Sequence, residues 1–213
     1  TLSWYISAKV KPAGTVWVAD LEGTLDPAYI KAVMENAGFS GTVRVANYVN
    51  TDKRKNKLRS HEEQMQDAID AILETDVNAA VIDSIGMFWP VVDASKDLGE
   101  RSVGQRARTV ADASRRIAAW LRIVDDPKLV FYINHVHPII GGRGHSTPGG
   151  VTKSYVANIR VWLQRIDSSV PEGSGNFLAE AKVQKLKHGG VNPERRGLIY
   201  FIPGFGVSPE MTN

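Results

Sequence analysis

The chain has 213 residues, 43% of them hydrophobic and 23% charged, with a formal net charge of +3 and no cysteine. This is the composition of an ordinary globular protein rather than a fibrous or disordered one, and the lack of cysteine removes disulfides, thiolate metal sites and cysteine nucleophiles. No apolar run approaches the roughly 18 residues that cross a membrane, so no membrane partner is expected, and the opening TLSWYISAKV lacks the form of a secretory signal. The length fits a single domain spanning 1–213.

In chain order, TVWVAD (15–20) is β-branched, apolar and ends on an acid, which reads as a strand. Asp26 to Ala37 opens with Asp-Pro and is followed by Gly38, a helix with its start and stop signals. TVRVANY (42–48) reads as a second strand. The run TDKRKNKLRS then gathers Lys53, Arg54, Lys55, Lys57 and Arg59, which by itself reads as a solvated face. Ser60 to Leu73 has Ser60 with Glu63 three residues on, then Met65, Ile69 and Leu73, a capping box feeding an amphipathic helix.

AAVIDSI (79–85) is continuously apolar apart from one Asp, as expected of a strand buried on both faces of a parallel sheet. Residues 105–123 set Val110, Ile117 and Leu121 on one helix face and arginines on the other. KLVFYIN (128–134) reads as another buried strand. ANIRVWLQRI, FLAEAKVQKLK and RGLIYFI read as three more, joined by SSVPEGSGN and HGGVNPER in an antiparallel finish. The expected fold is α/β, a mostly parallel central sheet flanked by helices with antiparallel strands at the C-terminal end.

Ligands of open parallel sheets bind beyond the carboxyl ends of the strands. Three polar pairs fall there: Asp20 and Glu22, Asp83 and Ser84, Asn134 and His135. An acid ending a buried apolar strand is costly unless it has a task such as holding a metal-bound water. One Asp-ended strand is a weak signal, since such residues also cap helices; three polar strand ends on one edge point to a nucleotide site. The phosphate cradle G-x-x-x-x-G-K-[ST] does not occur in these residues.

Taken together, these segments resemble the RecA family of recombinases, including phage members of the UvsX type, from Thr1 to about Val207. TLSWYISA resembles the helix directly after the phosphate loop, which makes Thr1 the residue next to the Mg-binding Ser/Thr, or that residue itself, and has the chain begin just after the Walker A loop. WVADLEGTLDPAYIKAV resembles the strand bearing the catalytic glutamate, here Glu22, with Asp26 and Tyr29 on D-P-x-Y, whose aromatic ring stacks on adenine. AAVIDSIGMFWP resembles the Walker B strand, with Asp83 reaching Mg2+ through water and Ser84 beside it. LVFYINHVHPIIGG resembles the sensor segment, with Asn134 and His135 at the γ-phosphate; bacterial members usually carry Gln where His135 stands, and phage members resemble this chain in having Asn-His. AKVQKLKHGG resembles V-x-x-K-x-K, whose lysines, here Lys185 and Lys187, reach a neighbour's γ-phosphate like arginine fingers.

The resemblance also implies two DNA loops, about Lys96 to Val103 and about Val136 to Pro148. Val103 and Ile140 fall on wedge positions, and Arg108, Arg115, Gly149 and Gly150 on phosphate-contact positions, with Arg143 in the second loop. It implies ATP and Mg2+ as cofactors, and a DNA-dependent ATPase of recombination and repair. The expected partners are single- and double-stranded DNA, further copies of itself in a helical filament or ring, and a single-strand-binding protein. The expected setting is the cytoplasm of a bacterium or phage-infected cell. Two other readings stay open: a hexameric helicase-type motor on the same fold, and a non-catalytic DNA-binding paralogue without a phosphate loop. D-P-x-Y and the Gly-Gly after the second loop are more recombinase-like than helicase-like.

Overall fold

In the computed structural model, residues 2–47, 61–74, 76–88, 104–126, 128–139, 141–166, 175–187 and 195–209 are described. The elements begin with α1 (Leu2–Val10), β1 (Thr15–Asp20), α2 (Pro27–Asn36), β2 (Thr42–Asn47), α3 (His61–Leu73) and β3 (Val77–Asp83). A 3-10 turn (Ile85–Met87) comes next, then α4 (Gln105–Trp120), β4 (Leu129–Tyr132), β5 (His137–Pro138), β6 (His145–Ser146) and α5 (Thr152–Val156). The chain finishes with β7 (Ile159–Ile166), β8 (Phe177–Leu186), β9 (Arg196–Ile202) and β10 (Gly206–Ser208). Thr1, Tyr48, the basic run 53–59, Ser60, Trp89, the first expected DNA loop with Val103, Ile140, and the turns around 167–174 and 188–194 lie outside the described residues. Among the described residues, no helix is long and apolar enough to cross a membrane.

The backbone divides into two compact units. The larger comprises residues 13–25 and 41–156 and holds a four-stranded parallel sheet in the order β2-β1-β3-β4. Its register sets Thr15 beside Thr42, Asp20 beside Asp83, and Ile82 beside Tyr132. Both faces of β1 and β3 are buried, which is why their sequences run apolar without alternation. Trp17 and Ala19 of β1 and Ala80 and Ile82 of β3 share one core with Met65, Ile69 and Ile72 of α3 and Val110, Ala113 and Ile117 of α4. Residues on each helix recur at spacings of three, four or seven, so one face of each meets the sheet. β4 is half-buried along its length rather than fully buried as its apolar run suggests, because it pairs with β3 alone among the described strands of this unit.

The second unit comprises residues 1–12, 26–40 and 157–213, with an antiparallel sheet in the order β10-β9-β8-β7. Ala179, Ile199, Phe201 and Val207 form its core, with Leu2 and Tyr5 of α1 packed against it and the rings of Phe177 and Phe201 stacked at 4.6 Å. Asp26 caps α2 by accepting the N–H of Ala28 at 2.9 Å, with Pro27 as the first helical residue. Gly206 has φ +105, and a Cβ built on it would lie 2.7 Å from Val33 Cγ1 of α2.

In the larger unit β1 ends on a carboxylate that shapes the turn after it. Asp20 is fully buried, 0% exposed. Its Oδ1 accepts the N–H groups of Gly23 at 2.7 Å and Thr24 at 3.3 Å, and its Oδ2 accepts that of Leu25 at 3.1 Å. The turn carrying Glu22 is thereby folded around a buried anion.

Two stability measurements test these contacts. Asp20→Ala strands three backbone donors and is expected to cost about 3 kcal/mol, lowering the melting temperature by about 10 °C. Gly206→Ala forces an L side chain into a left-handed backbone against Val33 and is expected to cost about 2 kcal/mol in chemical denaturation. A loss below about 0.5 kcal/mol in either variant, which is the range of an inconsequential surface change, contradicts the contact it tests.

Candidate functional site

The parallel sheet pushes three chain segments out over its carboxyl edge. Leu21 N–H donates to the carbonyl of Asp83 at 2.7 Å, Ile133 N–H to Ile82 at 3.0 Å, and Ile85 N–H to Ile133 at 3.0 Å. These bonds extend the ladder past the strand ends, so the residues after β1, β3 and β4 leave the sheet side by side. The peptide between Asp83 and Ser84 is cis.

Glu22, Ser84 and His135 meet there on a single atom. Ser84 Oγ donates to Glu22 Oε1 at 2.6 Å, and His135 Nε2 lies 2.9 Å from the same oxygen. A carboxylate only accepts, so Nε2 carries the proton in this contact. Ser84 is fully buried, whereas the side chains of His135 and Glu22 are 50% and 25% exposed. Burial pushes the Glu22 carboxyl up, but the hydrogen bonds from Ser84 and His135 and the imidazole's charge outweigh that and hold it below its ordinary value. Asp83 moves the other way, raised by burial first and then by the negative charges of Glu22 and Asp20.

Asn134 stands beside this group. Its Nδ2 donates to the carbonyl of Pro148 at 3.0 Å, while its Oδ1 is buried with no hydrogen-bond partner among the described residues. Gly86, in the turn after β3, passes close to it: a Cβ there would lie 3.1 Å from both Asn134 Oδ1 and His135 Cδ2. The carbonyl of Gly86 accepts from Arg106 Nη1 of α4 at 3.2 Å. Neither Gly86 nor Arg106 carries a recognisable sequence signal; one is a single glycine after a strand, the other an arginine among several on a helix.

The expected DNA-facing residues fall on α4 and on the second loop. Gly104, with φ +81, starts α4, on which Arg108 and Arg115 are exposed two turns apart. The second loop is a small hairpin in which β5 pairs antiparallel with β6, with Pro138 opposite His145. Arg143 is exposed at its tip, and Ile139, next to Ile140, is 43% exposed. Gly149 and Gly150, both with positive φ, press on α4: a Cβ on Gly149 would meet Val110 Cγ1 at 3.2 Å, and one on Gly150 would meet Ala107 Cβ at 2.9 Å. Their missing side chains therefore serve packing on the helix.

Tyr29, Asp26, Lys185 and Lys187 belong to the other unit. Tyr29 is 36% exposed on α2, and Asp26 is that helix's cap. Lys185 is half-buried on β8 opposite Arg160, and Lys187, just past the strand, is exposed with its N–H donating to Asn158 at 2.8 Å.

The family model described as the RecA N-terminal domain matches residues 1–208. The chain is 25% identical over 214 residues to the protein RecA of Desulfovibrio desulfuricans, an alignment covering 98% of this chain and 55% of that one. It is 27% identical over 211 residues to RecA of Lactococcus lactis subsp. cremoris, covering 95% and 50%, and 28% identical over 213 residues to RecA of Synechocystis sp., covering 98% and 56%. The chain spans about half the length of the curated relatives it matches. With a family match over almost every residue, and a parallel sheet flanked by helices and followed by antiparallel strands, the chain belongs to the RecA family.

Proposed function

We propose that this chain is the core of a DNA-dependent ATPase of homologous recombination, both compact units included, which holds single-stranded DNA in a filament and promotes strand exchange in the cytoplasm of a bacterium or phage-infected cell. The observation that carries the reading is the meeting of Glu22, Ser84 and His135 on one carboxylate oxygen at the carboxyl edge of a parallel sheet, beside the register pair Asp20 and Asp83. Such edges are where open α/β sheets take ligands.

The residues present fit a nucleotide with a divalent cation. Asp83 is raised by burial and by its acidic neighbours, a cost that a nearby cation removes. The buried Oδ1 of Asn134 is an acceptor left for a ligand or its water. Among the described residues no group of three or more His, Asp or Glu side chains could hold a metal by itself; Mg2+ characteristically takes one or two carboxylates and completes its shell with water and substrate phosphates. ATP and Mg2+, when bound, supply the phosphoryl group and the neutralisation of its charge.

Glu22 orients the attacking water and accepts its proton, through the carboxylate whose other oxygen is held by Ser84 and His135. Asp83 would hold Mg2+, and Asn134 with His135 would meet the terminal phosphate. Asp26 and Tyr29 serve the adenine end and Thr1 the phosphate end of the nucleotide, and Lys185 and Lys187 act on the nucleotide of a neighbouring copy. Arg108, Arg115, Arg143, Gly149 and Gly150 line the DNA path, with Val103 and Ile140 as wedges between bases. Binding of this kind is electrostatic and stacking-based, hence tolerant of sequence and sensitive to salt. A single-strand-binding protein shares the DNA as accessory partner.

Steady-state ATP hydrolysis by the full-length protein with single-stranded DNA tests the assignments. Glu22→Gln is expected to lower kcat at least ~100-fold while DNA affinity stays within about threefold, a change worth under ~0.7 kcal/mol; undiminished turnover refutes Glu22 as the base. Ser84→Ala is expected to lower kcat about tenfold. Because Glu22 is held below its ordinary value, it stays a base until the pH falls through that lowered value. Losing the serine donor raises the value, so the acid limb of the kcat–pH profile moves to higher pH. An unmoved limb contradicts the Ser84 contact.

A further inference from the structure

Lys153 is among the charged side chains without a task in this scheme. Lys153 lies in α5, three residues after the second of the two glycines that come after the hairpin loop. Its Nζ donates to the carbonyl of Thr147 at 3.3 Å and to the carbonyl of Gly150. An ammonium has three donors on a flexible stem, so one lysine reaches two carbonyls on either side of the Pro148–Gly149 step.

Other contacts fix the same four residues. The carbonyl between those two, that of Pro148, is taken by Asn134 Nδ2 at 3.0 Å. Gly149 and Gly150 lie against Val110 and Ala107, one helical turn apart on α4. Three carbonyls at the end of the loop are thus tied off by side chains, and two glycines are pressed on the helix that carries Arg108 and Arg115. Hydrogen bonds from a charged donor are the stronger kind, about 1.5–3 kcal/mol each against about 1 for neutral ones.

We infer that Lys153 is a positioning residue: its ammonium ties off the end of the hairpin loop, seats Gly149 and Gly150 on α4, and so holds loop and helix as one DNA-binding surface. The functional half of this inference rests on the DNA-binding reading above. Lys153 acts through the backbone rather than on a phosphate. A lysine that itself neutralised a phosphate would add to the salt dependence of binding; a lysine that shapes the loop changes affinity and leaves that dependence alone.

The test compares Lys153→Met and Lys153→Arg with the unaltered full-length protein. Without DNA, hydrogen exchange at residues 147–150 is expected to run about tenfold faster in Lys153→Met, the loss of about 1.4 kcal/mol of local protection, with an unchanged melting temperature. Lys153→Arg, whose guanidinium also donates to carbonyls, restores most of that protection. With oligo-dT as the probe, the concentration for half-maximal ATPase stimulation rises about tenfold in Lys153→Met, worth the same 1.4 kcal/mol, while the maximal rate and the slope of log affinity against log salt stay as they were. Unchanged exchange or an unchanged DNA requirement overturns the inference. So does a slope shallower by about 0.7, the signature of one lost phosphate contact on a single strand. An unaltered protein that does not bind oligo-dT refutes the recombinase reading instead, and the exchange experiment still decides whether the tether exists.

Discussion

A parallel sheet can present chemistry at its carboxyl edge only if the chain leaving each strand is held in place there. In this protein the strongest hold is the Asp20 carboxylate, sealed from solvent with the N–H groups of Gly23, Thr24 and Leu25 converging on its two oxygens. A buried anion is tolerable only when its lone pairs are satisfied, and satisfying them bends the chain into the turn that carries Glu22. From there Glu22 Oε1 meets donors from the segments after β3 and β4. The site is the place where three consecutive ladder strands end together, with Asp20 as the knot that fixes the first.

The same arrangement concentrates negative charge. Asp20, Glu22 and Asp83 come from adjacent strands, and each responds differently. Asp20 is satisfied by backbone donors. Glu22 is held in its ionised form by a hydroxyl and an imidazole. Asp83 has less compensation and is raised. Carboxylates with environments that push their proton affinities apart are how a fold can assign separate tasks to identical groups: the ionised Glu22 fits the proposed base, and the under-compensated Asp83 the proposed cation site.

The surface proposed for nucleic acid is built on the same scaffold and is physically joined to it. α4 contributes Val110 and Ile117 to the core under the sheet, Arg106 to the carbonyl of Gly86 in the turn after β3, and Arg108 and Arg115 to the exposed surface. Asn134, one residue from His135, donates to the end of the hairpin loop. A shift in the turn after β3 or in the segment after β4 therefore has hydrogen-bonded routes to the helix and to the loop. Exposed ion pairs such as Lys31–Glu35 or Arg44–Glu74 contribute little by themselves.

Local physics was enough to read most of the elements. The β-branched run of β1, the Asp-Pro start of α2 with Gly38 at its end, the amphipathic faces of α3 and α4 and the continuous apolar run of β3 each carry their signal within a few residues, and each formed within a few residues of where it was expected, β3 running from Val77 to Asp83 rather than over 79–85 and α4 ending at Trp120 rather than at 123. The polar strand ends were legible too, because an acid closing an apolar run is anomalous by itself. Tertiary structure decided what those residues do to one another. That Ser84 and His135 share one oxygen of Glu22, that Asp20 ties a turn, that Gly86 passes close to Asn134 and His135, and that Gly149 and Gly150 answer to Val110 and Ala107 all depend on contacts made through the folded sheet and its helices. The half-burial of β4 came from its position in the sheet and not from its composition. Periodicity and capping act over one or two turns of chain, and so the sequence by itself determined the elements and their order; hydrogen bonding and packing act through space, and only the folded sheet, by setting three strand ends in register, decided the site.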